Sequence, residues 1–342
     1  MKDLTDRPTT SGLAPPAPSP EGTRRRLLDS GRAVDLLRDY SILAFLALVF
    51  LILTLTSSVF LTTTNLENVL DQSVAVGLVS CAGALVIIAG GFDLSAGAIY
   101  VLAAVIAAKV TNSSGSAELG ILAGLAAGTA LGAVNAIICT VGRINPFVGT
   151  LATSIFFGGA AVAITGGGFV IIEDPSFGDL SSQVAGIKVS ILIFAAFALF
   201  CAFLLNRTVL GRRLLATGDN VDAARLSGIR TGRVQASTYM LSGFSAALAG
   251  VVVASRSLAV ASTSASANAL IFSALGAILV GGISLYGGSG AIWRVLVGVF
   301  ILALISNGFN LNGVDPLYQQ MMTGVLILAA VAADVWVRRR TR

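Results

Sequence analysis

The sequence predicts an all-α polytopic membrane protein of about ten transmembrane helices, with broken or re-entrant segments and a weak internal repeat. Three observations predict it. Of 342 residues, 55% are hydrophobic and 11% charged, against about 25% charged in soluble domains. The apolar residues run in stretches of membrane-crossing length, roughly 17–25 residues. The 38 glycines are too many for soluble helices, but small residues let membrane helices approach closely.

Residues 1–38, with "TTSGLAPPAPSPEGTRRR", are polar and proline-rich and cannot bury enough apolar area to fold alone. They are expected to be a disordered cytoplasmic tail. A transmembrane domain follows over 39–337, and 338–342 form a basic cytoplasmic tail. Apolar windows place spans at about 40–61, 67–89, 95–111, 119–141, 145–166, 187–206, 234–254, 267–283, 292–309 and 316–337. The first is too long and starts too late for a cleavable signal peptide, so it is expected to remain as a span. The short spans beside residues 90–97 read as half-helices of one broken element.

Lys/Arg bias sets orientation. With both termini cytoplasmic, ten spans leave three of the 22 basic residues outside: Lys109, Lys188 and Arg256. The longest outside loop, 166–188, carries Glu173, Asp174 and Asp179 and suits a soluble partner.

Composition removes several function classes. The net charge of +5 sits at span ends and is not interleaved with aromatics, so no nucleic-acid partner is expected. Histidine is absent, which removes His-based metal sites and general bases, and no cofactor is expected. Cys81, Cys139 and Cys201 lie in apolar runs and read as small buried hydrophobes. No G-x-x-x-x-G-K-[ST] motif is present to hold ATP. The chain reads as a transport subunit and not as an enzyme.

Two stretches carry the chemistry. "GGFDLSAG" (90–97) sets Asp93 and three glycines between apolar runs, where an ionisable residue is a functional-site hypothesis by default. Asp93 or Ser95 could N-cap a helix beginning near Leu94, and Asp93 could also touch a hydroxylated solute; the two roles are compatible. An echo joins "ALVIIAGGFDLSAGAIY" (84–100) to "AILVGGISLYGGSGAIW" (277–293), and paired Gly-interrupted segments of this kind point to a transport path. Its turn residues are Gly90, Gly91, Asp93, Leu94, Ser95 and Gly97 in the first copy, and Gly281, Gly282 and Ser284 in the second. The inside loop 207–233, "RTVLGRRLLATGDNVDAARLSGIRTGR", offers Asp219 or Asn220 as N-cap of a short helix that Gly228 would stop. That helix could dock into a partner's groove, or the loop could be an ordinary solvated basic segment.

In order along the chain, "GGFDLSAGA", "RINPFVGTLAT" (143–153), "LGRRLLATGDNVDAARLSGI" (210–229), "SGFSAALAGVVVASR" (242–256), "GAILVGGISLYGGSGAI" (276–292) and "NGFNLNGVDPLYQQMMTGVLILAAV" (307–331) resemble the ribose-type permease family of bacterial ABC importers. The resemblance covers about 40–337. It implies that Gly218, Asp219, Asn220, Ala223, Ala224, Leu226, Ser227, Gly228 and Ile229 form the segment that couples to the ATPase. It also puts the Gly90–Ser95 turn near the translocation path. The implied partners are an ABC ATPase subunit, an extracytoplasmic sugar-binding protein, a second permease copy as a homodimer, and membrane lipid. The implied location is the bacterial cytoplasmic membrane and the implied cargo a monosaccharide, either a ribose-like pentose, a hexose or a polyol. The alternatives are an autoinducer-type sugar derivative, a nucleoside, a branched-chain amino acid, or a secondary transporter. Trp293 and Arg294 depart from the family pattern, which often has glycine at 294, and are expected to alter packing at the inner end of span nine.

Overall fold

The computed structural model describes residues 40–262 and 264–315, with isolated positions between 318 and 332. The chain divides into two compact units, Met1–Ser41 and Ile42–Arg342, and the fold below is that of the second. The tails expected at 1–38 and 338–342 and most of the tenth expected span lie outside the described residues.

The helices are α1 (Tyr40–Thr56), α2 (Thr63–Ile88), α3 (Ala96–Ser114), α4 (Ala117–Ala136), α5 (Pro146–Thr165), α6 (Val189–Arg207), α7 (Val209–Asp219), α8 (Val221–Leu226), α9 (Thr231–Ser257), α10 (Ser264–Val280) and α11 (Ile292–Leu311). Helix α4 continues through a π-helical turn, Ile137–Val141. Among the described residues seven of these are long and apolar enough to cross a membrane, while α1 and α10 are shorter apolar helices. Helices α2 and α3, expected as half-helices, are 26 and 19 residues long. At 1.5 Å per residue each reaches roughly the 30 Å thickness of a bilayer's hydrocarbon core, so neither is a half-helix.

Helices α2, α3 and α9 form the buried centre. Glycines at four-residue spacing explain how α4 fits against them. Gly120, Gly124, Gly128 and Gly132 all lie on its buried face. A Cβ at Gly128 or Gly132 would overlap α9 backbone at Gly243 or Tyr239. Small residues here replace the hydrophobic drive that lipid removes, by allowing dispersion contact along the whole seam. Helices α2 and α11 are tied by a reciprocal amide pair, with Asn307 donating to Asn65 at 2.8 Å and Asn65 to Asn307 at 3.1 Å. Between α5 and α6, β1 (Phe169–Ile171) pairs antiparallel with β4 (Ala259–Ala261), joining the expected outside loop to the end of α9. A short 3-10 helix, Pro175–Ser181, and the hairpin of β2 (Gln183–Val184) and β3 (Ile187–Lys188) complete that loop.

Candidate functional site

Both copies of the echoed turn close a helix in the same way. Gly90 donates to Ile87 O and Gly91 to Val86 O; Gly282 donates to Leu279 O and Ile283 to Ile278 O. Gly90 and Gly282 have φ of 78° and 76°, the left-handed glycine of a Schellman ending. The sequence echo paired Gly90 with Gly281 and Asp93 with Ser284. The backbone pairs Gly90 with Gly282, a shift of one residue, so Ser284 does not take the place of Asp93.

Beyond Gly90 the chain climbs inward to Asp93, which is 6% exposed. Asp93 Oδ1 accepts from the Ser95 N–H at 2.9 Å and the Ser95 hydroxyl at 2.7 Å, while Oδ2 accepts from the Ser242 hydroxyl of α9 at 2.7 Å. Asn135 of α4 donates to Ser95 Oγ at 2.6 Å, and Thr153 of α5 donates to Asn135 Oδ1 at 2.7 Å. Thr150 Oγ1 accepts from the Leu94 N–H at 3.1 Å, and the Tyr239 hydroxyl donates to Phe92 O at 3.3 Å. The turn is thus hydrogen-bonded to α4, α5 and α9 at once.

The capping expectation needs correction. Helix α3 begins at Ala96, and Ser95, its N-cap residue, makes no side-chain capping bond. Asp93 instead makes an Asx turn onto Ser95 and ties that turn to Ser242. Aspartate within a membrane costs about 3 kcal/mol on insertion scales, and three hydrogen bonds, each typically contributing about 0.5–1.5 kcal/mol net, are of the size needed to offset it. Beside Asp93 and Ser242 is a cavity of about 10 Å³, also walled by Val79, Gly83, Ile271 and Ile278. A water needs roughly 10–15 Å³, so this conformation is closed to any sugar at Asp93.

Gly97 packs on α10, where a Cβ would overlap Ala267 O. Gly281 lies against the backbone of Arg294, whose guanidinium sits 5.7 Å over the Trp293 ring. The pair that departs from the family pattern lies in the first turn of α11.

The 207–233 segment folds as α7 and α8. Asn220 caps α8, its Oδ1 accepting from the N–H groups of Asp222 and Ala223 at 3.1 and 2.9 Å, and Gly228 follows at φ 82°. Asp219 belongs to the end of α7 and does not cap α8. Of the two alanines expected on the docking face, Ala223 is exposed and Ala224 is buried against the protein itself. Leu226 is 90% exposed, a large apolar side chain left open on α8.

Glycines join α7 to both turns. Gly288 donates to Ile88 O at 3.0 Å, which links the second turn to the end of α2. Gly218 is wedged between them: a Cβ there would overlap Ile88 O and the Gly288 backbone nitrogen. A Cβ on Gly288 would come within 2.7 Å of Asp219 Cα. Backbone meets backbone at this junction.

The opposite end of the bundle is held by charge. Asp71 of α2 pairs with Lys188 at 2.9 Å and with Arg256 of α9 at 2.8 Å, and accepts from the Ser190 hydroxyl at 2.8 Å. Arg256 also donates to Asp71 O at 2.7 Å. Two of the three basic residues that stood outside the charge bias are accounted for by this pairing. Further out, Asp174 caps the 3-10 helix and accepts from the Ala117 N–H. The Ser176 hydroxyl and N–H, with that of Ala117, hold its carboxyl below the usual aspartate range.

Sequence reasoning brought Gly90, Asp93, Ser95 and Gly218 forward but missed Asn135, Thr150, Thr153, Tyr239, Ser242, Gly287 and Gly288. Polar residues isolated in apolar spans were the available signal for most of them. Across 65–331 the chain matches the family described as branched-chain amino acid transport system / permease component. It is 33% identical to the ribose import permease protein of Escherichia coli K12 over 304 residues, which cover 87% of this chain and 94% of that protein. The ribose import permease protein of Bacillus subtilis 168 is 35% identical over 292 residues, 84% and 90% of the two chains. The L-arabinose transport system permease protein of E. coli K12 is 33% identical over 325 residues, 95% and 98%. No solved structure matches.

Proposed function

We infer from one fact, that this chain belongs to the ribose-type permease components of ABC importers, that it carries a monosaccharide across the cytoplasmic membrane while a separate ATPase subunit supplies the energy. Sugar is favoured over the alternative cargoes because ribose and arabinose permeases match nearly their whole length to it. A binding protein delivers the sugar to the outer face, which includes loop 166–188. Both termini are cytoplasmic, and two copies form a homodimer, since two-fold pairs are the commonest assembly.

The observation that carries the mechanism is the position of Gly218. Helix α8 presents Leu226 to solvent, and one residue before the α7–α8 boundary the backbone abuts Ile88 and Gly288. On this reading the ATPase grips α8, and α7 passes its displacement to both turns with no flexible side chain between. Movement of the turns then opens the closed space beside Asp93, first to one face and then to the other. Residues Gly218–Ile229 are the coupling segment, and the Gly90–Gly97 and Gly281–Ser284 turns border the path.

Reconstitution tests this. The full chain, its ATPase subunit and its binding protein in liposomes should take up labelled ribose, L-arabinose or another monosaccharide only with ATP. Uptake by the chain alone without ATP would overturn the reading. Ala223→Arg with Leu226→Asp should lower uptake about tenfold or more, as loss of an interface anchor does, with membrane insertion unchanged. Ala224 is a poor probe, because its substitution disturbs packing within the chain.

A further inference from the structure

A second cavity lies apart from the Asp93 turn, beside the coupling segment. It has a volume of about 440 Å³ and is lined by Leu210 and Arg213 of α7, Gly228, and Arg230, Arg233, Val234 and Ser237 at the start of α9. That is within the size of small-ligand sites, roughly 300–1,000 Å³. Three exposed guanidiniums share one concavity, and none of the ion pairs among the described residues includes them. The nearby acid Asp222 is turned to Arg225, at 3.6 Å. The wall they share is also the start of a 27-residue helix with no acidic residue in its first turn and no side-chain cap, so the positive end of its dipole adds to the same field.

Position along the spans argues for the ligand. Span α6 ends at Arg207 and span α9 begins at Thr231, so the pocket lies beside two span ends, where a bilayer's hydrocarbon core would give way to headgroups. Leu210 and Val234 add apolar surface to a lining that holds three arginines. A phosphate ester carried on an acyl chain presents both kinds of surface, and arginine forks bind phosphate oxygens two at a time. We propose that the inner ends of α7 and α9 form a phosphate-binding pocket occupied by the headgroup of an anionic phospholipid. Gly228 lies in its wall, and Ile229 next to it donates to Ala224 O of α8 at 3.0 Å, so an occupant would also steady α8.

The test is native mass spectrometry of the assembled importer, equilibrated with phosphatidylglycerol or with phosphatidylcholine. R230Q/R233Q is compared with R207Q/R212Q, which removes two charges from the same loop outside the pocket. Retained phosphatidylglycerol should fall about tenfold or more in the first pair, at roughly a severalfold loss per basic residue near an anionic surface. The control pair and the phosphatidylcholine samples should change little. Displacement of phosphatidylglycerol by added inorganic phosphate would keep the pocket's chemistry and assign it a soluble source. Equal loss in both pairs, or no loss in either, would overturn the proposal. So would loss of the ATPase subunit from R230Q/R233Q with lipid retention unchanged, because the rim would then be a protein contact. Lipid retention is read without transport, so this result and the uptake result stand or fall separately.

Discussion

At the end of the bundle that the proposed orientation places outside, Asp71, Lys188 and Arg256 bring α2, α6 and α9 together through long charged side chains. At the end it places inside, Gly90, Gly218, Gly287 and Gly288 bring α2, α7 and the turn before α11 together with almost no side chain at all. The two ends therefore have different mechanical properties. Ion pairs can stretch, exchange partners or be replaced by water, and their strength varies with screening and exposure. Backbone contact has no rotamers to absorb a displacement, and close-packed interfaces switch between arrangements instead of deforming smoothly. A releasable outer end and a stiff inner end suit a device driven from the inside that must let go on the outside.

Gly218→Ala should break the inner end with the largest effect. Its Cβ meets backbone on two sides, which cannot rotate away, so the penalty should reach or pass the ~3 kcal/mol upper range usual for overpacking. Thermal unfolding in detergent and complex yield are the measurements. Gly232→Ala, in the open first turn of α9 with its nearest neighbour 3.8 Å away, should be neutral or slightly stabilising, by up to roughly 1 kcal/mol of helix propensity. Equal losses from the two would remove the special status of the junction.

Asp71→Asn breaks the outer end. It leaves Lys188 and Arg256 facing each other without their shared anion. The side chains are 26% and 25% exposed, so the loss should fall below the 3–5 kcal/mol of a fully buried pair, at about 2 kcal/mol. High salt should narrow the gap between variant and parent. No such narrowing is expected for Gly218→Ala, and the same salt response in both would erase the contrast drawn between the ends.

Between the two ends, Asp93 separates charge from geometry. Asparagine can keep one oxygen on Ser95 and turn its amide to Ser242 Oγ, so Asp93→Asn should retain substantial transport. Asp93→Leu leaves the Ser95 N–H and hydroxyl and the Ser242 hydroxyl without their acceptor in a buried site, at about 1–3 kcal/mol for each group left unpaired, and should abolish uptake. Asn as inactive as Leu, in a normally folded protein, would make the negative charge itself the requirement.

What the sequence disclosed depended on how far apart the partners lie in it. Asn220 and the α8 residues it caps sit within three positions of one another, and that cap was legible. Asp71 and Arg256 are 185 residues apart, so Lys188 and Arg256 read only as exceptions to the charge bias. Asp93 was legible as unusual, because a lone carboxylate among apolar residues has few explanations. Its partner Ser242 is 149 residues away in a helix whose serines look like ordinary small residues. The one-residue offset between the two turns was hidden because the repeated letters GG fit either alignment, and only φ distinguishes them. Gly218 was found through its motif, while its meeting with Ile88 and Gly288 depends on three segments distant in sequence.

The smallest effect concerns the loop above the ion-paired end, and it tests whether that end is anchored by charge throughout. Asp174 binds the Ser176 hydroxyl and N–H at 2.7 and 2.9 Å and the Ala117 N–H at 3.0 Å, and those donors lower its pKa from the usual carboxylate value. A depressed carboxyl contributes stability that is fully present above its unfolded value, about 3.9, and fades as pH falls through the lower folded value. Amide exchange across 173–182 and at Ala117 should therefore be flat from neutral pH down to about pH 4 and should quicken below it, once intrinsic exchange is divided out. Asp174→Asn should show the faster exchange of this loop less steeply dependent on acid, because no proton is left to be taken up there. The Gly218 junction is packed backbone on backbone, so exchange around Ile88 and Gly288 should not follow the same curve. If those inner amides loosened in step with the loop, the two ends would be one cooperative unit and their separate mechanics would be lost.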